Sequence, residues 1–228
     1  MAKQLWIKNW RLTVSENDTL LINEIFLSIQ GESLSTGEPT TFVRLSGCPL
    51  RCSYCDTGYA FKDGKTLSYA EILKKIRENK TKYVTVTGGE PLAQKNCFKF
   101  LDTIAPNYEV SLETSNAYSI KSIHKDVIIV LDVKTPKSNE SDSNIEDNYN
   151  HLKNNDQIKF VICDQEDYEW SVEYMYKHKL NDKCKVLFSP SYEEMDPKYL
   201  AEMILKDNIP VRLQIQLHKF LWGDARGK

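Results

Sequence analysis

Short runs of apolar residues recur along the chain, separated by polar or amphipathic stretches. Residues 41–45, 83–87, 109–113, 127–133, 158–163, 186–188 and 211–217 read as strands. Some, such as Val127-Ile128-Ile129-Val130-Leu131, are continuously apolar rather than alternating. That is the pattern of a parallel strand covered on both faces. Between the first two runs, Ser68 and Glu71 form a capping box ahead of Ile72, Leu73 and Ile76, which share one helical face. Residues 96–104, 166–179 and 198–206 are further helix candidates. The alternation predicts an α/β fold with a mostly parallel sheet and crossover helices. Residues 137–148 are polar and aperiodic and read as a surface loop with room to move. The segment before Leu21 reads as either an added strand or a loose end, and no internal repeat is visible.

A parallel sheet carries its chemistry at the carboxyl ends of its strands. Here those ends run into Gly88-Gly89-Glu90-Pro91, Glu113-Thr114-Ser115-Asn116, Asp132-Val133-Lys134-Thr135-Pro136, Ser189-Pro190 and Gln216-Leu217-His218-Lys219. Polar clusters at the same end of successive strands predict one shared pocket.

With 228 residues, 41% hydrophobic and 27% charged, the chain reads as a single α/β domain over 1–228 with a substantial core. A formal net charge of −2 and the lack of a basic tail argue against direct nucleic-acid binding. No apolar run approaches the roughly 18 residues of a membrane span. The amino-terminal residues lack a signal-peptide apolar stretch, so the protein reads as cytoplasmic. Disulfides are disfavoured in that compartment, and Cys97, Cys163 and Cys184 read as buried structural thiols.

The other three cysteines, Cys48, Cys52 and Cys55, are spaced C-x3-C-x2-C. Three nearby thiolates are soft ligands suited to zinc, copper or an iron–sulfur cluster. Three is one fewer than a closed structural zinc site requires. A zinc or cluster carrier with a fourth ligand elsewhere therefore stays open at this point.

The cysteine triplet followed by Gly88-Gly89-Glu90-Pro91 resembles the radical S-adenosylmethionine (SAM) enzymes. The match narrows with Gln30-Gly31-Glu32 ahead of the cysteine loop, Arg44 leading into it, Cys55-Asp56-Thr57 closing it, and Gln216-Leu217-His218-Lys219 near the carboxyl end. Over residues 21–228 the chain is similar to the 7-carboxy-7-deazaguanine synthase family, leaving 1–20 as an extension. That resemblance implies a shortened (β/α) partial TIM-type barrel, usually a homodimer. It implies a [4Fe-4S] cluster on Cys48, Cys52 and Cys55, SAM on the open iron, Mg²⁺, and a flavodoxin-like or other electron donor. The reaction it implies is a lyase-type radical ring contraction of 6-carboxy-5,6,7,8-tetrahydropterin in 7-deazapurine and queuosine biosynthesis.

The same resemblance assigns residues. Tyr54, Gly89, Glu90, Ser115, Asp132, Lys134 and Ser189 are implied for SAM, with Glu90 as acceptor for its ammonium group. Ile29, Gln30, Gly31, Glu32, Arg44, Thr87 and His218 are implied for the pterin. Glu32 and Gln30 suit its guanidine-like edge and Arg44 its carboxylate. Thr57 is implied for Mg²⁺, with Asp56 behind it. The three-residue spacing between Cys48 and Cys52 departs from family members that carry a long insertion there. A glycyl-radical activase acting on a partner protein is the alternative, because it shares the cysteine motif and the Asp132-x-Lys134 pattern.

Overall fold

The computed structural model describes residues 18–228. Its element order is β1 (Thr19–Ile29), β2 (Pro39–Leu45), β3 (Lys65–Ser68), α1 (Tyr69–Asn79), β4 (Tyr83–Gly88), α2 (Asn96–Ile104), β5 (Glu109–Thr114), β6 (Ile128–Val133), β7 (Gln157–Ile162), α3 (Gln165–Lys177), β8 (Lys185–Pro190), α4 (Pro197–Asp207), β9 (Arg212–Leu213) and α5 (Leu217–Trp222). The strands form one sheet in the order β3-β1-β2-β4-β5-β6-β7-β8-β9. From β2 to β9 every neighbouring pair is parallel. Only β1 runs antiparallel, to both β2 and β3. With β3 and β9 as its edges the sheet is an open, partial barrel.

Period-two alternation sorts the strands into two faces. Val84, Val86, Val110, Leu112, Ile129, Leu131, Ile158, Phe160, Val186 and Phe188 join the core that also holds Ile72, Leu73, Ile76, Phe100, Leu101 and Ile104 of the helices. The intervening residues are polar at many positions: Thr85 and Thr87, Ser111 and Glu113, Asp132, Lys159 and Ser189. The second face is thus the wall of a cavity. The Ser68 capping box forms as expected, with Ser68 N donating to Glu71 Oε2 at 2.8 Å.

Two sequence expectations change, and one open alternative closes. Residues 211–217 are strand only at Arg212–Leu213. Beyond them Gln214 N still donates to Phe188 O, but the chain then leaves the sheet and Leu217 N donates to Gly31 O. The segment before Leu21 contributes Thr19 and Leu20 to β1, while what was expected of 1–17 lies outside the described residues. Residues 137–148 are not a loose loop. Asn144 exchanges two bonds with the Lys134 backbone, Oδ1 accepting from N and Nδ2 donating to O, both at 2.9 Å. Asn148 is buried and donates to Asn116 Oδ1 and Tyr118 O. Side-chain amides here replace the backbone pairing that the sequence lacks.

Cys97 and Cys184 are buried as expected, whereas Cys163 is half-buried at the end of β7. Among the described residues no helix is long and apolar enough to cross a membrane.

Candidate active site

One cavity of about 380 Å³ opens at the carboxyl ends of the strands. It collects Cys48, Cys52, Cys55, Tyr54, Thr57, Gly89, Ser115, Asp132, Lys134 and Ser189 with Ile29, Gln30, Gly31, Glu32, Arg44, Thr87 and His218. The sequence-derived site residues therefore share one space, with Glu90 as the exception.

The cysteine loop is set by the turn after β2. Gly47 has a φ of +93°, which favours glycine. Its carbonyl accepts from Glu90 N at 2.8 Å, and Leu45 O accepts from Gly89 N at 3.1 Å. A Cβ on Gly89 would run into the Gly47 carbonyl and Cys48 Cβ. This contact locks the cysteine loop to the Gly-Gly turn. Gly89→Ala is expected to displace the loop and lower iron incorporation severalfold. Iron per chain after anaerobic reconstitution checks it, and wild-type loading would contradict it.

All six thiols are unpaired. Burial pushes the Cys52 thiol up to about 11 and raises Cys48 as well. Such thiols lose their protons only as metal binds, so loading releases protons. Among the described residues no three His, Cys, Asp or Glu side chains form a preset single-ion site. The fit to a cluster rests instead on donor softness and on all three thiols lining one cavity.

Glu90 departs from its expected place. It is fully buried, Oε1 accepting from Leu92 N at 2.9 Å and Thr114 Oγ1 at 2.8 Å. Oε2 accepts from Ser115 N at 2.7 Å and Ser115 Oγ at 2.5 Å. Glu90 caps the turn at Pro91 and ties β4 to β5, so its carboxylate faces inward rather than into the cavity. Gly88 and Gly89 present backbone to the cavity in its place. Ser115 lines the cavity while its hydroxyl proton goes to Glu90, which leaves its oxygen free to accept.

Two buried atoms nearby have no hydrogen-bond partner among the described residues: the Tyr54 hydroxyl and Asp132 Oδ1. Both residues line the cavity. Lys134 Nζ stands 3.2 Å from Asp132 Oδ2 and 5.6 Å from the Tyr54 ring. Burial works against the Lys134 charge, yet Asp132, Tyr54 and Cys52 together more than offset it and the ammonium is held. Buried polar atoms without partners are costly unless a ligand meets them.

On the same cavity wall Glu32 accepts from Lys159 Nζ and from Gln216 Nε2, each at 2.8 Å. Burial alone would raise the Glu32 carboxyl, but Lys159 and Gln216 outweigh it and bring its pKa down to about 2. Gln30 is buried and ties the floor together. Its Oε1 accepts from Glu32 N at 3.2 Å, and its Nε2 donates to Thr85 Oγ1 at 3.1 Å and Glu113 Oε1 at 3.3 Å. Thr87 Oγ1 donates to Glu113 Oε2 at 2.8 Å. Burial, reinforced by the Glu32 charge, pushes the Glu113 pKa up.

Arg44 donates Nε to Glu24 Oε1 at 2.8 Å, and Tyr59 OH reaches the same oxygen at 2.9 Å. Gly31 leaves room for His218, whose ring would collide with any Cβ there. Thr57 precedes the turn Gly58–Phe61 but makes no capping bond with its side chain. Its hydroxyl donates to Asp56 Oδ1 at 3.1 Å and lies 4.0 Å from Cys55 Sγ.

Lys159 was not singled out from the sequence. The signal was there: a lysine at the alternate position of Ile158-Lys159-Phe160-Val161-Ile162, where period two turns it to the face opposite the core.

A family model for the radical SAM superfamily matches residues 42–189. A 7-carboxy-7-deazaguanine synthase of Chlorobaculum tepidum is 38% identical over 94% of this chain and 100% of its own. One from Koribacter versatilis is 40% identical over 88% and 96%. Among solved structures, QueE from Escherichia coli aligns with a TM-score of 0.71 at 20% identity, covering 88% of this chain and 95% of that one, a likeness in fold. The chain belongs to the radical SAM superfamily and, within it, to the 7-carboxy-7-deazaguanine synthase family.

Proposed function

We propose that this chain converts 6-carboxy-5,6,7,8-tetrahydropterin to 7-carboxy-7-deazaguanine with release of ammonia, as a radical SAM lyase in 7-deazapurine and queuosine biosynthesis. One observation carries the reading. The three-cysteine loop and the Glu32–Lys159–Gln216 cluster line one cavity. The substrate minus ammonia has the composition of the product, so no net oxidation is required.

The donor set Cys48, Cys52 and Cys55 fits a [4Fe-4S] cluster, and with SAM that group would supply a radical able to take a hydrogen atom from substrate. The residues of this chain bind and orient. Gly88 and Gly89 backbone, the orphaned Tyr54 hydroxyl and Asp132 oxygen, Lys134, Ser115 and Ser189 form the SAM wall. Glu32, kept anionic, accepts from the amino and ring N–H donors of the pterin. Gln30 sets the Glu32 backbone from behind. Ile29, Gly31, Thr87 and His218 complete the pterin wall. Arg44, steadied by Glu24, offers its remaining N–H fork to the substrate carboxylate. Thr57, hydrogen-bonded to Asp56 at the cavity wall, would hold Mg²⁺, which would supply a cation for the substrate carboxylate. Glu113 is a half-buried carboxyl with a raised pKa beside this wall, suited to hold or pass a proton.

A flavodoxin-like electron donor and a homodimeric assembly belong to the same reading, and family membership is their support. The test is anaerobic reconstitution with iron and sulfide, then dithionite, SAM, Mg²⁺ and the pterin, with products read by mass spectrometry. 7-Carboxy-7-deazaguanine is the expected product. SAM cleavage without it would move the reading to an activase of a partner protein. Neither product from a cluster-loaded chain would defeat the enzymatic reading.

A further inference from the structure

We propose that Lys159 is a positioning residue for substrate recognition, acting through Glu32; this rests on the pterin reading above. Lys159 sits in the middle of β7, between Ile158 and Phe160, which are buried in the core. Its side chain crosses the cavity wall and places Nζ 2.8 Å from Glu32 Oε2 and 3.6 Å from Asp132 Oδ2. Asp132 has a second cation, Lys134, at 3.2 Å. Glu32 has Lys159 as its ion-pair partner, with the uncharged Gln216 on its other oxygen.

The two contacts take one site on each Glu32 oxygen. A carboxylate offers about four acceptor sites, so capacity remains for a ligand in the cavity that Glu32 lines. Lys159 also offsets a crowd of like charge, since Glu32, Asp132 and Glu113 all act on its ammonium. Glu113 is linked to Glu32 through Gln30, which contacts Glu113 Oε1 and the Glu32 amide. Without Lys159, burial would favour a protonated Glu32, with Gln216 and His218 left to oppose it. A protonated carboxyl presents a donor where the pterin edge needs an acceptor.

The test is a double-mutant cycle on reconstituted, cluster-loaded protein, reading substrate KM, product formation, uncoupled 5′-deoxyadenosine release and SAM affinity by titration. Lys159→Met is expected to raise substrate KM roughly 10- to 100-fold, the size of a lost charged contact. SAM affinity is expected to stay within about twofold because Lys134 still serves Asp132, and uncoupled SAM cleavage is expected to rise. Lys159→Arg should recover most of the loss. The double variant Lys159→Met/Glu32→Gln should match Glu32→Gln alone, since Lys159 then has nothing to act through.

An unchanged KM in Lys159→Met, or a double variant whose loss is the product of the two single losses, would overturn the inference. So would a fall in SAM affinity in step with KM, which would place the role on the Asp132 side. Wild-type protein that makes no 7-carboxy-7-deazaguanine would remove the pterin reading and this inference together. Wild-type turnover with an additive cycle would remove this inference alone.

Discussion

Replacing Cys52 with alanine is expected to reduce turnover about a thousandfold or more and to abolish SAM cleavage as well as product formation. A thousandfold loss corresponds to about 4 kcal/mol of barrier. Cys52 lines the cavity with Lys134, and its thiol is raised to about 11 by burial. Among the described residues no preset single-ion site waits to take over. Two remaining thiols would leave a cluster short of a protein ligand and exposed to loss. Iron per chain is the decisive measurement, because it reads the ligand role without relying on activity. Cys48→Ala and Cys55→Ala should behave alike. Cys163→Ala is the control: Cys163 lies beyond the loop, half-buried at the end of β7, and its loss should leave iron content unchanged. Full iron loading in any of the three loop variants would contradict the ligand assignment.

The second large effect is expected at Glu32. Glu32→Gln should lower kcat/KM for the pterin by roughly 100- to 1,000-fold, the loss of two charge-assisted hydrogen bonds to substrate. SAM binding should persist, and SAM cleavage uncoupled from product should continue. That split separates Glu32 from the cysteines, which should lose both. The variant should also be less stable near neutral pH, because Lys159 would lose its 2.8 Å partner and keep only Asp132 at 3.6 Å. The sign with pH follows from the lowered pKa. Ionised Glu32 stabilises the fold above the ordinary carboxylate value of 4.5, and the contribution fades as pH falls toward about 2. The difference in melting temperature between cluster-free wild type and Glu32→Gln should therefore narrow on acidification. Pterin turnover undiminished in Glu32→Gln would move the substrate away from this wall.

Much of this site was legible in the sequence because its signals are local. Cys48, Cys52 and Cys55 declare their chemistry by spacing, and Gly47, Gly88 and Gly89 mark where backbone comes close. Ser68 and Glu71 announce the start of α1 within four residues. The parallel sheet followed from apolar runs such as 127–131, although the second face of that strand, at Val130, lines the cavity.

What the sequence hid depends on contacts across long stretches of chain. Lys159 and Glu32 are separated by 127 positions, so their pairing exists only once β7 and the Gln30–Glu32 turn share a cavity. Glu90 follows two flexible glycines, and its direction depends on where Pro91 turns the chain; it went to Thr114 and Ser115 rather than to the cavity. Residues 211–217 have strand composition, yet Leu217 N bonds to Gly31 O instead of extending β9. That departure brings Gln216 and His218 to the pterin wall. In residues 137–148, Asn144 and Asn148 supply order that hydrophobic periodicity cannot register.

The central claim is that one cavity brings SAM chemistry to bear on a bound tetrahydropterin, and isotope transfer tests it most directly. The reaction should be run anaerobically with the pterin deuterated at C6. Deuterium should appear at the 5′ carbon of the SAM-derived deoxyadenosyl group, whether recovered as 5′-deoxyadenosine or as SAM, while 7-carboxy-7-deazaguanine forms. Product formed with no deuterium in that group would contradict hydrogen abstraction from C6, and with it the account of how this cavity works.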